Sequence, residues 1–280
     1  MQPLIKLYPQ NIEEKLGFDK IREFIQAECS TDAAKAALNK MSFGSDLNRI
    51  QQSLRSIQEV NSLNSRGIYF QFPEDPERNN NDISRSDIEG MILFEDELFD
   101  LLKAFLNLEH NFKICKTEIE FIPELKNQQN ELISLQVAIN LLDAILDKEG
   151  KIKPNASPAL WDIQKKINQK EKDVRRILHS RFEMARKNGW AGDTEITIRN
   201  ERLVIPIIAE FKKKMPGFVH DDSQSGKFLY IEPIECFEEN NALKELSFEK
   251  KKEIERILKQ VTAQLAPYKQ IIWQHVQYTA

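Results

Sequence analysis

Apolar residues recur at helical spacing over most of the chain, and the pattern changes character only once. Ile12, Leu16, Ile21, Phe24 and Ile25 share one face of a helix predicted over 11–28. Ser30 or Thr31 is placed to cap the next, which carries Ala33, Ala34, Ala37, Leu38 and Met41. Leu47, Ile50, Leu54, Ile57 and Leu63 mark a third. Phe72 to Asp82 holds two Pro and three Asn and reads as a loop. Helices resume over Ile88 to Leu93 and Glu95 to Cys115, and Pro123 opens a short one. Ile133 to Leu146 is apolar on more than one face, which predicts burial.

After a turn over Asp147 to Asn155, Ser157-Pro158 combines an N-cap with proline at the first helical position. The helix predicted from Ala159 to Lys187 has a narrow apolar stripe of Leu160, Ile163, Ile167, Val174, Ile177 and Leu178, a pattern suited to a coiled-coil arm. Gly189 reads as its C-terminal cap. A second helix of this kind is predicted over Asn241 to Gln264, returning antiparallel beside the first until Pro267 interrupts it. The chain then ends at Ala280 without a capping signal, which reads as a cut through a longer protein.

Between these two arms the period becomes two. Ile196 and Ile198 alternate with Glu195, Thr197 and Arg199, and a tight turn follows over Arg199 to Arg202. Leu203 to Ile208 is a short β-branched strand in which Pro206 predicts an edge or a bulge. Phe218-Val219-His220 and Phe228 to Ile231 supply two more strands, joined by Asp221 to Lys227, with Gly226 free to take a positive φ.

Composition agrees with long helices: the 280 residues include only 9 Gly and 11 Pro. Cys29, Cys115 and Cys236 are odd in number and form no CxxC pair, so a disulfide framework or zinc site is not indicated and a reducing, cytoplasmic setting fits. No apolar run approaches the ~20 residues of a membrane helix. The charge is unevenly divided. Residues 1–150 hold 16 Lys+Arg against 26 Asp+Glu, and the remainder holds 24 against 18, a sign change compatible with a polyanion partner or with a solvated helical surface.

Candidate chemistry is sparse. Ser225-Gly226-Lys227 has Asp221 where a phosphate loop needs its first glycine and Phe228 where it needs Ser or Thr, so that motif fails. His220-Asp221-Asp222 are adjacent on a strand end and do not converge on one ion. Arg199, Arg202, Lys212, Lys213, Lys214 and Lys227 put six cations at the β-module, interleaved with Glu201, Glu210, Asp221 and Asp222. Such side chains contact phosphates without reading bases, or simply solubilise a loop. No nucleophile, paired-carboxylate or Cys/His pattern argues for catalysis.

The segments LLDAILDKEGKIKPNASPALWDIQKKI, TEITIRNERLVIPI and GFVHDDSQSGKFLYIEP, with LGFDKIREFIQAECSTDAAKAAL and NDISRSDIEGMILFEDELFDLL before them, resemble in order the MutS family, in its second bacterial branch. The resemblance implies a mainly α fold with a small antiparallel β insertion: a helical core over 1–156, an ascending lever helix over 157–192, a β-rich clamp over 193–233 and a truncated descending lever over 234–280. It implies coiled-coil-like arms carrying the clamp, and nucleic-acid contacts from Arg199, Arg202, Lys212, Lys213, Lys214, Ser223, Ser225, Gly226 and Lys227. For the longer protein it implies an ATPase using ATP and Mg, a nuclease domain, homodimers, and work on branched or duplex DNA or on ribosomal RNA. Suppression of recombination and action on stalled ribosomes are the associated roles. This stretch itself would need no cofactor, and a scaffold for dimerisation or ribosome docking is the competing reading. The clamp loop reads Asp222-Ser223-Gln224-Ser225-Gly226-Lys227-Phe228 where the family usually has QSASGxTxFIEP, with Ser223, Ser225, Gly226, Ile231, Glu232 and Pro233 matching, and Ile208 stands where a basic residue is usual.

Overall fold

A computed structural model describes residues 11–29, 32–73, 76–86, 88, 90–128, 133–191 and 195–279. The expected caps Ser30 and Thr31, and Asp193 and Thr194 at the start of the β-module, lie outside the described residues. The fold is mainly helical with one small antiparallel sheet. It divides into two compact units, residues 1–153 with 258–280, and residues 154–257.

In the first unit the predicted opening helix is two, α1 (Ile12–Leu16) and α2 (Phe18–Glu28), because Gly17 turns into the left-handed region at φ 69°. Next come α3 (Asp32–Lys40) and α4 (Leu47–Ser65), whose N-cap Asp46 accepts the Asn48 and Arg49 N–H groups at 2.9 and 3.3 Å. The apolar stripe of α4 at Leu47, Ile50, Leu54 and Ile57 is open to solvent, with Leu63 buried. The supposed loop at Phe72 to Asp82 is largely helix α5 (Pro76–Arg85). Pro76 occupies the first turn, where a missing N–H is tolerated. Asp82 reaches Arg78 at 3.7 Å and Arg85 at 3.5 Å along the helix.

The predicted helix over Ile88 to Leu93 does not form. Gly90 sits at φ 81°, and the Leu93 N–H donates at 2.9 Å to Thr262 Oγ1 instead of to a helical carbonyl. Helix α6 (Glu95–Thr117) supplies the interior with Leu98, Leu101, Phe105 and Leu108, packed on α8 (Gln136–Ile145). Val137 leaves the α8 face exposed, so that helix is buried on one side only. Buried glutamates satisfy the free N–H groups at helix starts. Glu59 accepts from Glu124 and Leu125 in α7 (Pro123–Gln128), and Glu109 accepts from Leu135 immediately before α8.

In the second unit α9 (Pro158–Lys187) begins as expected, with Ser157 Oγ accepting the Leu160 N–H at 3.0 Å. Four strands follow: β1 (Thr197–Arg199), β2 (Arg202–Ile208), β3 (Gly217–Asp222) and β4 (Phe228–Pro233), in the order β1-β2-β4-β3. Helix α10 (Phe237–Leu265) starts a turn earlier than predicted, and its residues from Leu258 belong to the first unit together with α11 (Lys269–Thr279). Within the second unit α9 and α10 run antiparallel, tied by Ser157–Glu253 at 2.6 Å, Gln164–Lys250 at 2.9 Å and Lys170–Glu239 at 2.6 Å.

Candidate nucleic-acid interface

The sheet rests on the C-terminal turns of α9. Val174, Leu178, Phe182 and Ala185 pack against Leu203, Ile205, Ile207, Met215 and Ile231 in a closed apolar cluster. Asn200 and Glu201 both take positive φ, 50° and 63°, and make the two-residue mirror-image turn whose twist matches paired strands. Strand β2 is internal in the sheet order, yet Pro206 meets only Tyr230 of β4, because β1 pairs no further than Val204. The missing N–H of Pro206 therefore faces no ladder partner, and Ile208 beyond it donates at 2.8 Å to the Trp190 carbonyl. Gly217 is fixed by crowding: a Cβ there would lie 2.1 Å from the Glu232 carbonyl oxygen.

Strand β3 bulges at His220, between the pairs Val219–Ile231 and Asp221–Tyr230. The bulge turns the imidazole onto Glu232, which has no solvent exposure. His220 Nε2 lies 2.6 Å from one Glu232 oxygen. Arg202 Nη1 donates to both oxygens at 2.7 and 3.0 Å, and Asn240 Nδ2 donates at 2.9 Å. Arg202 also donates to Asn241 and covers the Phe237 ring at 5.5 Å. One buried carboxylate thus joins β2, the bulge of β3 and the start of α10. Sequence reading missed this network, although a glutamate at an inward strand position was its signal.

The nine predicted contact residues separate into two groups. Arg202 turns its guanidinium inward onto the buried Glu232, with its side chain 14% exposed. Arg199 is paired with Asp221 at 3.0 Å and lies over Tyr230 at 4.3 Å. The others gather at the end of the sheet formed by Ile208 and Phe228. Lys212, Lys213 and Lys214 are exposed on the 3-10 turn Ala209–Lys214, and no carboxylate among the described residues lies within ion-pair distance of them. The Ala209 N–H donates to the Lys227 carbonyl at 3.0 Å and holds that turn against the Ser223–Lys227 loop. Ser223 Oγ accepts the Phe228 N–H at 3.0 Å, and Gly226, at φ 67°, donates to the Ser223 carbonyl at 2.7 Å. Four exposed lysines, Ser225 and the Ser223 hydroxyl thus lie on a turn and a loop joined by a backbone hydrogen bond. Among the described residues no group of three or more His, Cys, Asp or Glu side chains is arranged to hold a metal, and no helix is long and apolar enough to cross a membrane.

The fold and this tip define a helical protein in which an antiparallel helix pair carries a β-module with a cationic end. No protein-family model matches the chain. The endonuclease MutS2 of Bacillus velezensis is 30% identical to it, over 96% of this chain and 34% of the relative. The protein of the same name from Caldicellulosiruptor bescii is 27% identical over 94% and 33%. The putative endonuclease MutS2 of Bacillus subtilis is 28% identical over 92% and 33%. The chain is a relative of these MutS2 proteins along nearly all of its own length, and it spans about a third of the length of theirs.

Proposed function

We propose that this chain is the core, lever and clamp region of a MutS2-like protein, and that the clamp grips duplex or branched DNA through phosphate contacts without reading sequence. In this reading the first unit is the core, α9 and α10 are coiled-coil-like lever arms, and the β-module is the clamp. The observation that carries it is the tip, where Lys212, Lys213, Lys214 and Lys227 are exposed and held together by the Ala209–Lys227 hydrogen bond. Cations with no carboxylate beside them are free to displace counterions from a phosphate backbone. The longer protein would act on recombining DNA as a homodimer, with ATP, Mg and nuclease chemistry supplied by other regions.

The test is fluorescence anisotropy of a labelled DNA duplex titrated with the full chain over a series of salt concentrations. Changing Lys212, Lys213 and Lys214 together to Ala is expected to weaken binding across all sequences and lower the logarithmic salt slope by about 2–3, roughly one per lost contact. No binding by the parent chain, or an unchanged slope in the variant, would overturn the assignment. Tighter binding to a duplex RNA of equal length would move the partner from DNA to RNA.

A further inference from the structure

Helix α4 is amphipathic, but over its first three turns the apolar side faces water. Leu47, Ile50, Leu54 and Ile57 are 66, 43, 54 and 57% exposed. Spacings of three, four and three residues set them in one stripe along about 15 Å of helix. A surface helix ordinarily turns such a stripe inward. Here the opposite side is the one that packs. Glu59 is buried and accepts the Glu124 and Leu125 N–H groups, and Arg55 pairs with Glu124 at 2.9 Å. Gln52, two turns before Glu59 on the same side, is half-buried. Polar contacts to α7 therefore fix the rotation of α4 and leave its apolar side outermost. Single exposed apolar side chains need no explanation, but four in register along one helix mark a contact surface.

The borders of the stripe narrow what can cover it. Its flanks within α4 are Gln51, Ser53 and Gln58, exposed and uncharged, and Asn61 stands next in line beyond Ile57. The charged residues of the helix are Arg49, Arg55 and Glu59. All three lie about a third of a turn or more around from the stripe. A partner selected by charge would meet its complement at the flanks, where helix pairs ordinarily set partner choice. Here the flanks offer amides and a hydroxyl, which tolerate a copy of themselves.

We propose that this stripe is a self-association surface, on which α4 of a second copy of this chain packs antiparallel about a two-fold axis between Ile50 and Leu54. The spacing of three, four and three reads the same from either end. In an antiparallel pair Leu47 therefore meets Ile57 of the second copy and Ile50 meets its Leu54, each contact occurring twice, as an isologous interface requires. With no charge on the flanks, the two copies approach without repulsion. Three turns of helix bury less than the roughly 1,200 Å² of a strong interface, which makes the pair weak and concentration-dependent. The inference stands on the first unit alone and does not depend on the proposed DNA function.

The experiment is sedimentation equilibrium of the full chain from about 1 to 300 μM, the range in which a weak pair forms. The mass is expected to rise from 32.7 kDa toward twice that value. Leu54→Glu and Ile50→Lys, each alone, are expected to hold the chain at monomer mass with parental melting by circular dichroism, since both side chains are exposed. Mixed one to one, the two variants are expected to associate again. The antiparallel pair sets their new charges opposite each other and keeps one Ile50–Leu54 contact intact. A parent that stays at monomer mass overturns the proposal and leaves the stripe to a different chain or to the rest of a longer protein. Single variants that associate as the parent does overturn it by moving the contact elsewhere. A mixture that stays monomeric overturns the antiparallel pairing.

Discussion

The Glu232 carboxylate has no access to water, and Arg202, His220 and Asn240 reach it from three different segments. Removing Arg202 would leave that charge short of its one permanent cation. A buried pair broken on one side costs about 3–5 kcal/mol, much of a small unit's total stability. Arg202→Ala is therefore expected to lower the melting temperature of the second unit sharply. Arg202→Met with Glu232→Gln, which removes both charges and keeps an acceptor for Asn240, is expected to recover most of the loss. Calorimetric melting of the single and double variants checks this. An Arg202→Ala chain that melts like the parent but binds DNA weakly would instead favour Arg202 as a phosphate contact. The Lys212, Lys213 and Lys214 variant should behave the opposite way, with unchanged melting and weaker binding, because those side chains touch nothing acidic in the fold.

At the scale of elements, the start of α9 does two jobs with one hydroxyl. Ser157 Oγ accepts the Leu160 N–H and donates to Glu253 of α10 at 2.6 Å. The Glu253 carboxyl is held down to about 2, first by its hydrogen bond from Arg256 and then by Ser157. Ser157→Ala is expected to cost about 1 kcal/mol through the lost cap alone. It should also shrink the helix pair's extra stability at neutral pH relative to acid, read as a smaller drop in melting temperature between pH 6 and pH 3. A parent-like drop would mean that the Ser157 bond does not hold Glu253 ionised. This junction was legible in sequence because Ser-Pro before a periodic segment is local chemistry. The hairpin turn at Asn200-Glu201, the break before Pro267 and the loop glycine Gly226 were legible for the same reason. Helix α5 was not, because Pro76 and three asparagines mark a loop by propensity while Asp82 and Ile83 are drawn into the interior by packing. Nor was the fate of Arg202. A cation in an alternating segment carries no sign that Glu232, thirty residues on, will lie beneath it once the register is set.

For the whole molecule, the two units should respond to acid in different pH windows. In the first, burial pushes the His275 imidazole below its ordinary 6.5, against the opposing pull of its 2.8 Å bond to the Ile133 carbonyl and of Glu109. A histidine kept neutral in the fold gives stability that is fully present above pH 6.5 and is lost as pH falls below it, since the unfolded chain takes up the proton more readily. In the second, Glu253 is depressed from 4.5 to about 2, so its contribution persists through the histidine range and is lost only as pH falls between those values. On lowering pH from 7 to 5 the first unit should therefore weaken while the second holds, and His275→Gln should flatten the early response without touching the late one. The tryptophans separate the readouts: Trp161 and Trp190 lie in the second unit and Trp273 in the first. Thermal melts followed by fluorescence, in a Trp273→Phe variant and in a Trp161→Phe/Trp190→Phe variant, should give midpoints that diverge as pH drops from 7 to 5. Midpoints that move together across that range, in chains with and without His275, would mean that neither group governs the acid response of its own unit.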